Sequence, residues 1–167
     1  MRASIRYSQK QFELALKDWS SALELERSDS VALGGRGDCY YSIGNVSAAI
    51  DDYRAAVEAD ARNSKSCNSL AWILATTTTD SLRNGTDAVK YARQACKLTN
   101  WKQWQYLDTL AAAYAETEDF ETAEKLQKQV LTLVKNEIAE SLSKVENRLT
   151  LYQEKRRFRE SPKVPSN

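Results

Sequence analysis

The 167-residue chain contains no histidine. That removes the usual general base near neutral pH, the imidazole partner of serine and cysteine nucleophiles, and the commonest zinc ligand. The sequence is therefore not read as an enzyme, and neither a metal nor a cofactor is expected. Its three cysteines, Cys39, Cys67 and Cys96, are far apart, odd in number and form no CxxC pair. This is neither a disulfide framework nor a metal site, and packing as small hydrophobes is the expectation. No apolar run approaches the roughly 18 residues that span a bilayer, and the start, MRASIRYSQKQ, lacks the apolar segment of a secretory signal. A soluble, cytoplasmic protein is expected, subject to what its parent protein is. Charge of a single sign is missing too: 24 basic against 23 acidic residues leave +1. No global field draws nucleic acid or anionic lipid, so partners have to be recognised locally.

What the chain does have is a period. Ala15, Trp19, Ala22 and Leu23 recur 34 residues later as Ala49, Tyr53, Ala56 and Val57. A unit of about 34 residues holding two short amphipathic helices is the mark of a helical solenoid, which moves the functional question from chemistry to binding. With 42% hydrophobic residues the chain can pack one ordered domain.

The stretch Tyr40 to Asp60 shows the logic of a unit. Tyr40 and Ile43 close a first helix, Gly44 supplies the turn, and Asn45 caps a second helix. The apolar face of that second helix is Ala49, Ile50, Tyr53, Ala56 and Val57. The same register places a helix from about Gln11 to Glu26 with Ala15, Trp19, Ala22, Leu23 and Leu25 inward. The helix before it has room for only a few residues, so the unit over about 1–29 is partial, and the chain is expected to be the C-terminal piece of something longer. Units follow over 30–63, 64–101 and 102–135. In the third, Leu70, Ala71 and Leu74 precede Ala88, Ala92, Ala95 and Leu98. Ala49 to Ala88 is 39 residues, and the excess falls in the polar stretch from Thr76 to Gly85, where Asn84-Gly85 marks a turn and Thr86 a cap. In the fourth, Leu107, Leu110, Ala111 and Tyr114 precede Asp119 as a cap, then Phe120, Ala123, Val130 and Leu131. Ile138, Leu142, Val145, Leu149 and Tyr152 predict one amphipathic helix over 136–155, which caps the solenoid. Residues 156–167 read as a basic, flexible tail.

Tyr40, Gly44, Ala49, Tyr53, Ala56 and Val57 match the spacing of the tetratricopeptide repeat, as do Ala71, Ala88 and Ala95, and Tyr114, Ala123 and Leu131. Over residues 7 to 134 the chain resembles that family. It departs from it with Ala61 in place of a frequent proline, Glu118 at the turn glycine, and the stretched loop. LAWILAT, TDAVKYARQACKLTNW and YLDTLAAAYAE also resemble a C-terminal repeat module of planctomycete bacterial proteins. The resemblance implies an all-α fold, a right-handed α-α superhelix with a C-terminal capping helix, whose first helices line a concave groove for proteins or peptides.

In that register the groove residues are Asp38, Tyr41 and Ser42, then Lys65, Asn68 and Trp72, then Gln105, Asp108, Ala112 and Glu116. An exposed aromatic among amide, cation and carboxylates suits a peptide held by hydrogen bonds around one apolar anchor. The competing reading makes Trp72 inter-helix packing and the polar residues a solvated face. Gly34-Gly35-Arg36-Gly37 has neither the strand nor the Lys-Ser/Thr of a phosphate loop, so close packing at Gly37 is expected instead. Carboxylate pairs such as Asp51-Asp52 are expected on exposed faces. The Lys155-Arg156-Arg157-Phe158-Arg159 cluster could bind nucleic acid or acidic lipid, but is read as complementing a helix end. The expected function is non-catalytic protein or peptide binding. The alternatives are self-association through apolar surface near Phe12, Leu16 and Trp19, and RNA binding by a helical repeat.

Overall fold

A computed structural model describes residues 2–134 and 139–162. They divide into two compact units, one running to Cys67 together with Ser161 and Pro162, the other from Asn68 to Glu160.

The first unit contains α1 (Arg2–Ser8), α2 (Phe12–Leu25), α3 (Ser30–Ser42), α4 (Val46–Ala59) and the first turn of α5 (Ser64–Thr76). From α1 to α4 each helix packs on the next. The core joins Leu23 of α2, Ala32 and Leu33 of α3 and Ala56 of α4, with Trp19, Ala22 and Ala55 against it. The 34-residue recurrence now has a physical cause, because α2 and α4 flank α3 and each lays its aromatic on a glycine. A Cβ on Gly35 would fall 2.4 Å from the Trp19 ring, and one on Gly37 would fall 2.9 Å from the Tyr53 ring. Close packing at Gly37 is thus as expected. Leu25 is not inward: at the last turn of α2 it is 91% exposed, past the stripe that Ala22 and Leu23 turn toward α3. Asp52 is not on an exposed face either, since α4 turns it inward, where it accepts two 2.7 Å hydrogen bonds from the Arg36 guanidinium.

Five helix ends share one device. After α1, α3 and the helices that end at Leu98, Glu116 and Gln153 the chain enters the left-handed region at Lys10, Gly44, Asn100, Glu118 and Lys155, with φ of 60, 86, 51, 66 and 55°. At each end the next amide reaches back five residues, as in Asn45 N–H to Tyr40 O at 2.8 Å and Asp119 N–H to Tyr114 O at 3.0 Å. This pairing satisfies the last helical carbonyls, and glycine adopts the required backbone with least strain. Only Gly44 is a glycine. Asn45 and Asp119 then cap the following helices through their side chains, whereas Gln11 makes no such bond. Lys10→Gly combined with Gln11→Asn copies the Gly44–Asn45 pair into the first turn. It is expected to stabilise the protein by about 1–2 kcal/mol, read as a higher urea midpoint at unchanged slope; an unmoved midpoint would refute the strain argument.

The second unit holds the rest of α5, a single 3-10 turn at Asp80–Leu82, α6 (Gly85–Leu98), α7 (Trp104–Glu116), α8 (Phe120–Leu133) and α9 (Ala139–Gln153). The inserted loop lies where expected, but Asn84 rather than Thr86 caps α6, accepting from the Asp87 amide at 3.0 Å. Tyr152 of α9 is buried against Ala111, Ala115 and Ala123, so the last helix does cover the stacking face of α7 and α8. Asn136 and Ile138, at the expected start of this helix, lie outside the described residues.

The three cysteines are buried and free. Burial pushes the Cys39 and Cys96 thiols up to about 12 and the Cys67 thiol up to about 11, with nearby Asp38 and Asp60 adding to the first and last of these. They are neutral packing groups at physiological pH rather than nucleophiles. Among the described residues no helix is long and apolar enough to cross a membrane.

Candidate interaction surfaces

The first unit has a cleft of about 490 Å³ lined by α1, α3, the α4–α5 connection and the first turn of α5. Gly34 and Gly35 of α3 line it, and the side chains of Ser66 and Trp19 pack where a Cβ on each would stand. Asn63 sets the start of α5: its Oδ1 accepts from the Ser66 amide at 3.0 Å, while its Nδ2 donates to Ser30 Oγ at 2.7 Å, tying α5 to the start of α3. On one side stand Tyr7 and Val31, the latter 68% exposed. On another, Asp38 accepts from the Tyr53 hydroxyl at 2.7 Å and is ion-paired with Lys65. Of the groove residues read from the sequence, Asp38 and Lys65 line this cleft. Ser42 bonds the Tyr7 hydroxyl at 3.1 Å without lining it, and Tyr41 is half-buried elsewhere. Asn63 was missed, although an Asn ahead of a helical stretch is an ordinary capping signal.

In the second unit the expected groove residues meet the chain itself. Asp108 accepts from Arg148 of α9 at 2.8 and 2.7 Å, and both side chains are only 8% exposed. Gln127 donates to the same carboxylate at 2.9 Å and to Val145 O at 3.1 Å. The Arg148 guanidinium lies 5.6 Å from the Trp72 ring centroid and 5.3 Å from that of Phe158. The Trp72 indole N–H donates to Glu160 Oε2 at 2.9 Å. Glu116 is ion-paired with Arg83 at 3.1 Å and Arg159 at 2.6 Å. Gln105 remains exposed and, with Asn68, borders a smaller cavity of about 290 Å³. Ala112 is buried in α7 and borders neither cavity.

Residues 156–160, expected to belong to a flexible tail, instead form a strap. The left-handed turn at Lys155 stops α9 and reverses the chain. The Glu160 amide then donates to Thr76 O at 2.9 Å, and Arg157 pairs with Glu118. The tail's arginines thus meet acidic partners that sequence spacing could not place beside them. Arg148, Phe158 and Glu160 went unrecognised as well. A signal existed for Arg148, which sits on the α9 stripe three residues after Val145 and four before Tyr152, at a position a solvated charge would avoid.

Tandem helix pairs joined by tight capped turns define a helical-repeat fold. Residues 31–63, the α3–α4 pair, match the tetratricopeptide repeat. Among solved structures the chain is similar to a tetratricopeptide repeat protein from Parabacteroides merdae ATCC 43184, with 16% identity and a TM-score of 0.72 over 92% of this chain and 57% of that one. Two structures of MamA are similar at 15% and 14% identity, each with a TM-score of 0.68 over 92% of this chain and over 81% and 93% of theirs. The chain spans little more than half the length of the Parabacteroides protein. No curated protein matches its sequence. Residues 31–63 thus carry a tetratricopeptide repeat, and the described residues have an all-α helical-repeat fold like that of these solved structures.

Proposed function

We propose that the first unit binds an extended peptide, or an extended edge of a partner domain, in the cleft lined by α1, α3 and the start of α5. The observation that carries this reading is a cleft in which Tyr7 and Val31 offer apolar surface and the Asp38–Lys65 pair offers both signs of charge. One apolar anchor flanked by both signs of charge is the arrangement peptide sites use. The test is an array of immobilised random dodecapeptides, with the strongest binders titrated by fluorescence anisotropy. Val31→Glu with Lys65→Glu is expected to weaken them at least tenfold and Leu14→Glu to leave them unchanged. Binding indifferent to the cleft pair would sink the reading.

A second reading, self-association through the N-terminal helices, is favoured by Ile5 and Leu14, which are 57% and 46% exposed. Phe12, Leu16 and Trp19, first suspected for it, are half-buried. Light scattering over a concentration series decides it, and a strict monomer ends it.

A further inference from the structure

We propose that the second unit contains a separate docking groove for an extended segment of a partner protein that carries arginine, an aromatic, arginine and an acid in succession, and that residues Arg157–Glu160 occupy this groove in cis. The proposal does not involve the cleft of the first unit and stands or falls without it.

The strap shows what the groove recognises. Phe158 stacks at 5.8 Å on the Trp72 ring with the Arg148 guanidinium against both. Arg159 pairs with Glu116 and donates to Ala75 O at 3.2 Å, while Arg157 pairs with Glu118. The Glu160 carboxylate takes the Trp72 indole N–H, and its amide pairs with Thr76 O in a short parallel bridge to Thr77. Phe158 also packs against the core cluster around Tyr152, and one aromatic anchor, charge-assisted bonds on either side and backbone pairing are the chemistry that peptide recognition uses.

Three observations mark the strap as a replaceable occupant. None of residues 156–160 is fully buried, in contrast with Val145, Arg148 and Tyr152 of the helix before it. The backbone edge it pairs with, Thr76–Thr77, opens the five-residue insertion, whose Arg83 is itself held by Glu116 and by Thr77 O at 2.9 Å. The groove also continues past Glu160 into the 290 Å³ cavity, where Asn68 Oδ1 is buried without a hydrogen-bond donor. A longer segment could supply that donor from its backbone, a bond the strap does not make.

Because the strap follows α9 through a fixed turn, it competes at the millimolar or higher effective concentration of a short tether. A partner in trans therefore sees a groove that is rarely vacant, and its apparent affinity falls by the vacant fraction. The probe is a fluorescein-labelled synthetic peptide with the sequence of residues 155–162, titrated by anisotropy against the full chain. Phe158→Ala with Arg159→Ala, which disables the strap, is expected to bind it at least tenfold more tightly than the wild type. Adding Glu116→Lys to that variant should abolish the gain. Equal affinity of the wild type and the folded strap variant overturns the proposal.

A second measurement needs no variant. Hydrogen exchange at the Glu160 amide of the wild type should accelerate at least tenfold at saturating, millimolar probe as the strap is displaced, and unchanged protection overturns the proposal. Light scattering identifies the occupant. A wild-type dimer that the strap variant loses would make a second copy of this chain the ligand and overturn the assignment to a partner protein, whereas a monomer at every concentration supports it.

Discussion

Replacing Arg148 by alanine is expected to cost about 3–5 kcal/mol, because it strands the Asp108 carboxylate in a site where both partners are nearly closed to water. The two hydrogen bonds of that pair are the main polar link between α7 and α9, and Gln127 adds only one donor to the same carboxylate. The loss is to be read as a lower urea midpoint. The argument concerns an uncompensated charge rather than the strength of the pair, so removing both charges has a different outcome. Arg148→Met with Asp108→Leu is expected to recover most of the loss, since well-packed apolar replacements of a buried ion pair are often neutral. If the single change costs less than about 1 kcal/mol, the pair is better solvated than its burial implies.

Tyr53→Ala is expected to cost a similar about 3–5 kcal/mol, the range for deleting a large buried ring. Tyr53 is 3% exposed, its ring covers Gly37, and its hydroxyl holds Asp38 on the wall of the first cleft. Tyr53→Phe separates the two roles. It keeps the ring and is expected to cost only about 1–2 kcal/mol through the lost bond to a carboxylate. By freeing Asp38 it should also weaken peptides selected for the cleft, whereas a purely structural role for the hydroxyl would leave their affinity unmoved. Thermal unfolding and the anisotropy titration of the two variants distinguish these outcomes.

The period of 34 residues, the helix pairs and the small residues Ala15, Ala49, Ala56, Ala88, Ala95 and Ala123 were legible because they follow from local geometry. Residues three and four apart share a helix face, and a face that must approach a neighbour excludes bulk. The caps Asn45 and Asp119 were legible for the same reason, since a side chain two or three residues from an orphan amide needs no tertiary information. Of the first cleft, Asp38 and Lys65 followed from the register. Gly34 and Gly35 did not, because the sequence does not say which side chains, here Ser66 and Trp19, pack onto them.

In the second unit the register singled out Trp72, Asp108 and Glu116 and left open what meets them. Their partners are remote in sequence: Arg148 is 40 residues from Asp108, and Glu160 is 88 from Trp72. A charged residue in a sequence looks the same whether it is solvated or buried against its counter-charge, and only the folded chain brings the two together. The sequence by itself determined that this is an all-α helical repeat and which residues of its helices are packed inward. The tertiary structure decided that one of the two groove faces is open while the other is held by the chain's own C-terminal strap, because α9 and the turn at Lys155 direct the last arginines back onto acidic partners that no local pattern links to them.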